Sequence, residues 1–243
     1  MGQQLVSAQN VRKSYRSTGG MVHALDAVSL AVQPGELVAL VGPTGSGKTT
    51  LLMLLAGLED PDNGEIALMG RSLAQLNQDQ VTDLRSRAVG VVYQSYNLFP
   101  GFTVRENIGL PLRLMWQPPF DAEARTTELL SELGLLELQH RYPTELSGGQ
   151  QQLVAVARAL AARPPLILAD EPTANLDSTV AREIVGLLRR LASGGSHGVL
   201  LATHDLRIAS QADRVLSLRD GKIVRETIMT PGRAAREIMA ELA

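Results

Sequence analysis

Gly42-Pro43-Thr44-Gly45-Ser46-Gly47-Lys48-Thr49 fits the pattern G-x-x-x-x-G-K-[ST], with the apolar run ELVALV before it and TTLLMLLAGL after it. In that setting the pattern has a physical meaning. Glycines let the backbone wrap a phosphate chain with its N–H groups turned inward, and the N-terminus of the following helix adds about half a positive charge. The Lys48 ammonium then reaches the outer phosphates, Thr49 offers its hydroxyl to Mg²⁺, and Thr50 joins them in the nucleotide-binding set. A second chemical feature lies far along the chain, where LILAD ends in Asp170 and Glu171 follows. An Asp-Glu pair after a strand is by itself an ordinary solvated turn. Beside a phosphate loop it becomes the other half of a Mg-nucleotide site, with Asp170 in the metal shell and Glu171 orienting a water as general base.

The elements that must hold these groups can be read from the pattern of apolar residues. ELVALVG is a continuous apolar run ended by glycine, as a strand covered on both faces requires, and a helix starts at about Lys48. From Leu5 to Gln33 short alternating segments, broken at Gly19-Gly20 and ended by Pro34-Gly35, predict antiparallel strands. Asp60-Pro61-Asp62-Asn63-Gly64 predicts a turn into the short strand EIALMG. Between about Phe99 and Arg163 strand patterning is lost; Asp121 is placed to cap a helix over AEARTTELLSEL and Gly134 to close it. Strands return with LILAD and GVLLAT, separated by a helix over roughly Thr179 to Leu191, and RVLSL turns at Asp220-Gly221 into KIVRET. The last dozen residues read as a short amphipathic helix.

Alternating strands and helices predict an α/β chain with a mostly parallel core. Expected divisions are an antiparallel β subdomain over about 1–36 and 64–70, a helical subdomain over about 95–163, and the core for the rest. The 243 residues, set against the roughly 150 of a typical domain, suit one large domain with a subdomain. Lys plus Arg number 23 and Asp plus Glu 25, a net charge of -2, which excludes a polybasic binder of nucleic acid or lipid headgroups. At 44% hydrophobic residues the chain is too apolar for disorder. With no cysteine it holds no disulfide or thiolate metal site. The longest apolar runs, Leu37 to Val41 and Leu51 to Leu58, fall far short of the about 20 residues of a membrane span. The opening MGQQLVSAQN lacks the pattern of a secretory signal, so the expected address is the cytoplasm.

Leu146-Ser147-Gly148-Gly149-Gln150 precedes the helical segment QQLVAVARALAAR, and helix capping by Ser147 accounts for only part of that pentapeptide. With the phosphate loop and the acid pair, this segment makes the chain resemble the ATPase subunits of ABC (ATP-binding cassette) transporters over essentially its whole length. The resemblance implies a P-loop NTPase core, ATP and Mg²⁺ as ligands, and a homodimer with each ATP between one copy's phosphate loop and the other copy's signature residues Ser147, Gly148, Gly149 and Gln150. It implies that Tyr15 in KSYRS stacks on adenine, that Gln94 in VVYQS lies near Mg²⁺ and senses a membrane partner, that His204 in LATHD contacts the γ-phosphate, and that Asp177 in ANLD lines the dimer seam. Two departures stand out: Leu153 where close relatives usually carry arginine, and Ala174 where glycine or serine is commoner.

Further segments, YRSTGGMVHALDAVSLAVQPGE, QSYNLFPGFTVRENIGLPL and DEPTANLD, are similar to the subgroup that serves lipoprotein release and macrolide export. That likeness implies a separate transmembrane permease subunit and peripheral attachment through it at the cytoplasmic face of the membrane. An importer of the amino-acid type is the alternative within transport, and a soluble ABC protein of translation or repair the alternative outside it. An unrelated P-loop GTPase would need an N-K-x-D motif, which the sequence lacks.

Overall fold

Strand β1 (Val6–Ser17) turns back into β2 (Gly20–Val32), and the pair runs antiparallel from Val6↔Val32 to Ser17↔Gly20. On its other edge β1 takes β4 (Asn63–Leu68), which carries the short β5 (Arg71–Ser72), giving a four-stranded antiparallel sheet in the order β2-β1-β4-β5. The computed structural model describes residues 4–18 and 20–229. The expected C-terminal helix lies outside them, as do Met1 to Gln3.

The second sheet holds the chemistry. Its order is β10-β9-β3-β8-β7-β6, built from β3 (Leu37–Val41), β6 (Val89–Val92), β7 (Leu166–Asp170), β8 (Gly198–Thr203), β9 (Arg214–Arg219) and β10 (Lys222–Ile228). All neighbours are parallel except β9 and β10, which form a hairpin through Asp220 (φ 49°) and Gly221 (φ 74°). Each residue of β3, β7 and β8 is buried, because the sheet is covered on both faces. Alternation assigns the faces: Leu37, Ala39, Val41, Ile167 and Ala169 join one apolar core, whereas Val38, Leu40, Leu166 and Leu168 join the other.

Helix α1 (Lys48–Leu55) follows β3 and buries Leu51, Leu52, Leu54 and Leu55. It stops earlier than the apolar run suggests, since Gly57 takes φ 64°. Several elements have no counterpart in the sequence pattern. Helix α2 (Gln78–Ala88) is mostly polar, burying Ala88 fully and packing Leu84 partly against the second core, and β6 is a four-residue edge strand. α2 is marked instead by a reciprocal cap, with Asn77 and Gln80 each bonding the other's backbone N–H.

From Gln94 to Arg163 the chain is helical. α3 (Val104–Leu114) is capped by Thr103 and Glu106, α4 (Ala122–Glu132) by Asp121, and Gly134 at φ 67° ends α4. α5 (Gly148–Leu160) has Ser147 and Gln150 in a capping box at its start, while the buried Arg125 donates to the Leu160 carbonyl at its end (3.1 Å). α6 (Ser178–Ser193) and the one-turn α7 (Leu206–Ala209) complete the set, capped by Asp177 and Asp205. Among the described residues no helix is long and apolar enough to cross a membrane.

Candidate active site

The carboxyl ends of three adjacent strands, β3, β8 and β7, meet at one place. β3 delivers the phosphate loop, β8 delivers His204 just beyond Thr203, and β7 delivers Asp170 and then Glu171. Ligands bind at such carboxyl ends of open α/β sheets. Within the loop, Gly45 and Gly47 take φ of 80° and 106°, a region closed to most side chains, and Gly47 caps α1. Gly42 serves a different purpose: a side-chain carbon there would overlap the Leu218 carbonyl oxygen of β9.

The buried Lys48 Nζ donates to the carbonyls of Gly42 (2.8 Å) and Pro43 (3.2 Å) and lies 3.5 Å from Glu171 Oε1. Thr49 donates its hydroxyl to Asp170 Oδ2 at 2.7 Å, while Asp170 Oδ1 is buried without a hydrogen-bond partner. Burial raises the Asp170 carboxyl above the usual aspartate range; the Thr49 hydroxyl opposes this, and the neighbouring Glu171 charge adds to it.

Glu171 sits at φ 45°, a strained conformation for a residue with a side chain, of the kind that concentrates at functional sites. Its backbone is fixed by a bond from Glu171 N to the Ala202 carbonyl (3.0 Å). His204 Nδ1 lies 2.9 Å from Glu171 Oε2, and the carboxylate can only accept, so Nδ1 donates and Nε2 stays available.

Lys48, Thr49, Glu171 and His204 line one cleft with Tyr15, Val22, Thr44, Gly45, Thr50 and Gln94, and Asp170 adjoins it through the Thr49 hydroxyl. Tyr15 stands on β1, about a third exposed, and its hydroxyl donates to Glu59 Oε2 at 2.6 Å. Burial and the Glu59 bond both push its phenol up, so the ring stays neutral. The cleft therefore combines an aromatic face, an inward-facing backbone loop, a cation, hard oxygen acceptors and a carboxylate–imidazole pair. That set matches a nucleoside triphosphate and the activation of water at its far end.

A profile of the ABC transporter family matches residues 25–174. The chain belongs to the ABC transporter family. It is 44% identical over 92% of its length to the lipoprotein-releasing system ATP-binding protein LolD 1 of Rhodospirillum rubrum, of which it covers 99%. It is 42% identical over 93% of its length to the macrolide export ATP-binding/permease protein MacB of Azoarcus sp., but spans only 34% of that longer protein. Among solved structures it superposes with a TM-score of 0.85 on the dimeric ATP-binding cassette MJ0796 of Methanocaldococcus jannaschii bound to ADP and Pi, at 37% identity over 93% of this chain and 99% of that one.

In this ABC ATPase the phosphate loop, Asp170, Glu171, Gln94, His204 and Tyr15 come together, whereas Ser147, Gly148, Gly149 and Gln150 do not line the same cleft. The signature glycines have neighbours of their own. A side-chain carbon at Gly148 would stand 3.0 Å from Tyr96 Oη, and one at Gly149 2.8 Å from Val180 Cγ1. Asp177 caps α6 by accepting from Thr179 N and Val180 N, and those bonds hold its carboxyl below the usual range. Leu153 packs against the larger apolar core, which suits leucine better than the charged residue usual there, and Ala174 lines a second cleft together with Glu171 and His204. Glu59 and Asn175 escaped the sequence reading. Glu59 holds Tyr15 and belongs to no motif; Asn175 Nδ2 donates to the Gln94 carbonyl (3.4 Å), and within ANLD it is Asp177 that draws attention.

Proposed function

We propose that this chain is the ATP-binding and hydrolysing subunit of a membrane transporter of the export or lipoprotein-release type, working as a homodimer at the cytoplasmic face of the membrane. The observation that carries the reading is the convergence of Lys48, Glu171 and His204 at the end of the phosphate loop, with the signature helix facing elsewhere. A site with one half-site missing from its own cleft is completed by a second copy, whose Ser147 and Gly149 present a helix N-terminus to the γ-phosphate. Solved relatives of this shape are dimers, which supports that arrangement.

In the proposed cycle the N–H groups of Gly42 to Thr50 and the Lys48 ammonium bind the phosphates, and Tyr15 stacks on adenine. Glu171 takes the proton of the attacking water, and His204, oriented by Glu171, contacts the γ-phosphate through Nε2. Asp177 lies at the seam between copies. Mg²⁺ fits this chain: the unpartnered Oδ1 of Asp170 and the Thr49 hydroxyl are hard oxygen donors, and Gln94 stands at the same cleft. Bound there, Mg²⁺ would supply neutralisation of phosphate charge. In this division of labour residues of about 1–36 and 64–70 form the base-binding β subdomain and about 95–163 the helical subdomain.

The membrane partner is a separate permease subunit. Its docking place is an apolar groove of about 510 Å³ between α2, β6 and α3, lined by Leu58, Tyr93, Phe99, Leu110 and Leu114. Leu114, more than three-quarters exposed, stands at its rim.

Glu171→Gln should retain ATP, lose turnover by about a hundredfold or more and trap the closed dimer, whereas Lys48→Ala should lose nucleotide affinity. The tagged Glu171→Gln protein, recovered with ATP and Mg²⁺ from gently solubilised membranes and analysed by mass spectrometry, identifies the partner. A membrane protein of few spans with a large extracytoplasmic domain supports the export reading. A multi-span permease with a solute-binding protein would make it an importer, and soluble machinery alone would end the transport reading.

A further inference from the structure

Gln94 belongs to a loop held in an unusual shape. Tyr96 and Asn97, neither a glycine, both take left-handed φ, 60° and 49°, and Asn97 N bonds the Ser95 carbonyl two residues back at 2.6 Å. Such a pair persists only where its surroundings over-determine it. The surroundings here are the signature helix. Arg158, near the end of α5, donates from Nη2 to the Tyr96 carbonyl (2.8 Å) and from Nη1 to the Asn97 carbonyl (2.5 Å). Tyr96 Oη in turn abuts Gly148 at the start of the same helix.

Arg158 is half-buried and has no carboxylate partner among the described residues, so these carbonyls account for its guanidinium. A planar fork presents two separate nitrogens to the two carbonyls in a fixed geometry, where a lysine would bring a single one. Arg158 also lines the apolar groove with Tyr93, Asn97, Phe99 and Leu110. One side chain thus touches the groove, the loop that carries Gln94 and the helix that begins at Ser147. Beyond the clamp, the buried Asn107 fixes the rest of the segment, accepting from Phe99 N (2.8 Å) and donating to the carbonyls of Phe99, Phe102 and Thr103.

We propose that Arg158 is a positioning residue for Gln94, locking the Tyr96–Asn97 carbonyls so that the Gln94 loop moves with the signature helix and answers to whatever fills the groove. The proposal rests on the reading that Gln94 serves the nucleotide site. Its burial, which holds the guanidinium below the usual arginine range, agrees with a desolvated clamp rather than a surface charge.

The test uses the full chain and three variants, Arg158→Met, Arg158→Lys and Gln94→Ala, with kcat and KM for ATP-Mg²⁺ and hydrogen exchange followed by mass spectrometry. Arg158→Met should lower kcat by about tenfold or more while KM stays within about twofold, the signature of lost positioning rather than lost binding. Arg158→Lys, keeping one bond, should fall between, and in both variants the amides of residues 94–98 should exchange faster while those of β8 do not. If Arg158→Met is insoluble, the lysine variant carries the same comparison. Parental kcat in the Arg158 variants with a slowed Gln94→Ala would overturn the clamp alone. Faster exchange throughout β8 would make Arg158 a general structural residue and also overturn it. Parental kcat in Gln94→Ala would remove the role of Gln94 and the clamp with it.

Discussion

At Glu171 a strained backbone, a carboxylate and an imidazole meet, and this residue shows most clearly what sequence does and does not convey. The order of letters in LILADE places an acid at a strand end, and the phosphate loop gives that acid a purpose. What the letters do not carry is the φ of 45°, the 2.9 Å contact with His204 or the 3.5 Å approach to Lys48, because each depends on strands far apart in the chain becoming neighbours. His204 is the residue where this matters for a test. Its ring is held by Glu171, not by its own strand, so His204→Ala should lower kcat by about tenfold to a hundredfold while ATP affinity, supplied by Lys48 and the loop, is kept. Steady-state kinetics beside nucleotide titration would check this; unchanged kcat would reduce His204 to a turn residue after β8.

Among the elements, those with a strong period or an end signal were legible and those defined by a neighbour were not. β3, β7 and β8 are uniformly apolar because both faces are covered, and α4 begins and ends where Asp121 and Gly134 put it. The Asp121 side chain accepts from Ala124 N at 2.8 Å, so Asp121→Ala should cost about 1 kcal/mol in urea unfolding with little change in the nucleotide site. A loss within error would mean that packing of Leu129 and Leu130 alone holds the helix. β6 lacked any such signal, and α2 carried only its Asn77–Gln80 cap, since its mostly polar sequence gives a weak apolar period. β6 exists because β7 offers an edge, and Gly90 within it is required by α5: a side-chain carbon there would overlap the Ala159 carbonyl oxygen. A glycine in VGVV reads as a weak strand until its partner helix is known.

For the whole molecule, the decisive feature is that Ser147 to Gln150 do not line the cleft formed by Lys48, Glu171 and His204. If turnover needs two copies, the rate per mole of protein should fall as the protein is diluted through the dimer dissociation constant and recover when the concentration is restored. A rate per mole that stays flat over about a hundredfold dilution, from above that constant to below it, would mean that one copy suffices. The strand order has a further consequence, in time rather than in space. β3 lies between β8 and β9, and the Ser46 carbonyl of the phosphate loop accepts the N–H of Gly221, in the hairpin that joins β9 to β10. The loop leaves the ribosome well before β8 and β9, and its strand has no neighbours in the sheet until they have followed. At translation rates of about 5–20 residues per second, the nascent loop waits on the order of ten seconds for the residues that close it. During that interval the apolar residues of α1 have only the antiparallel sheet of β1, β2 and β4 to rest on, and their cover from β7 comes later.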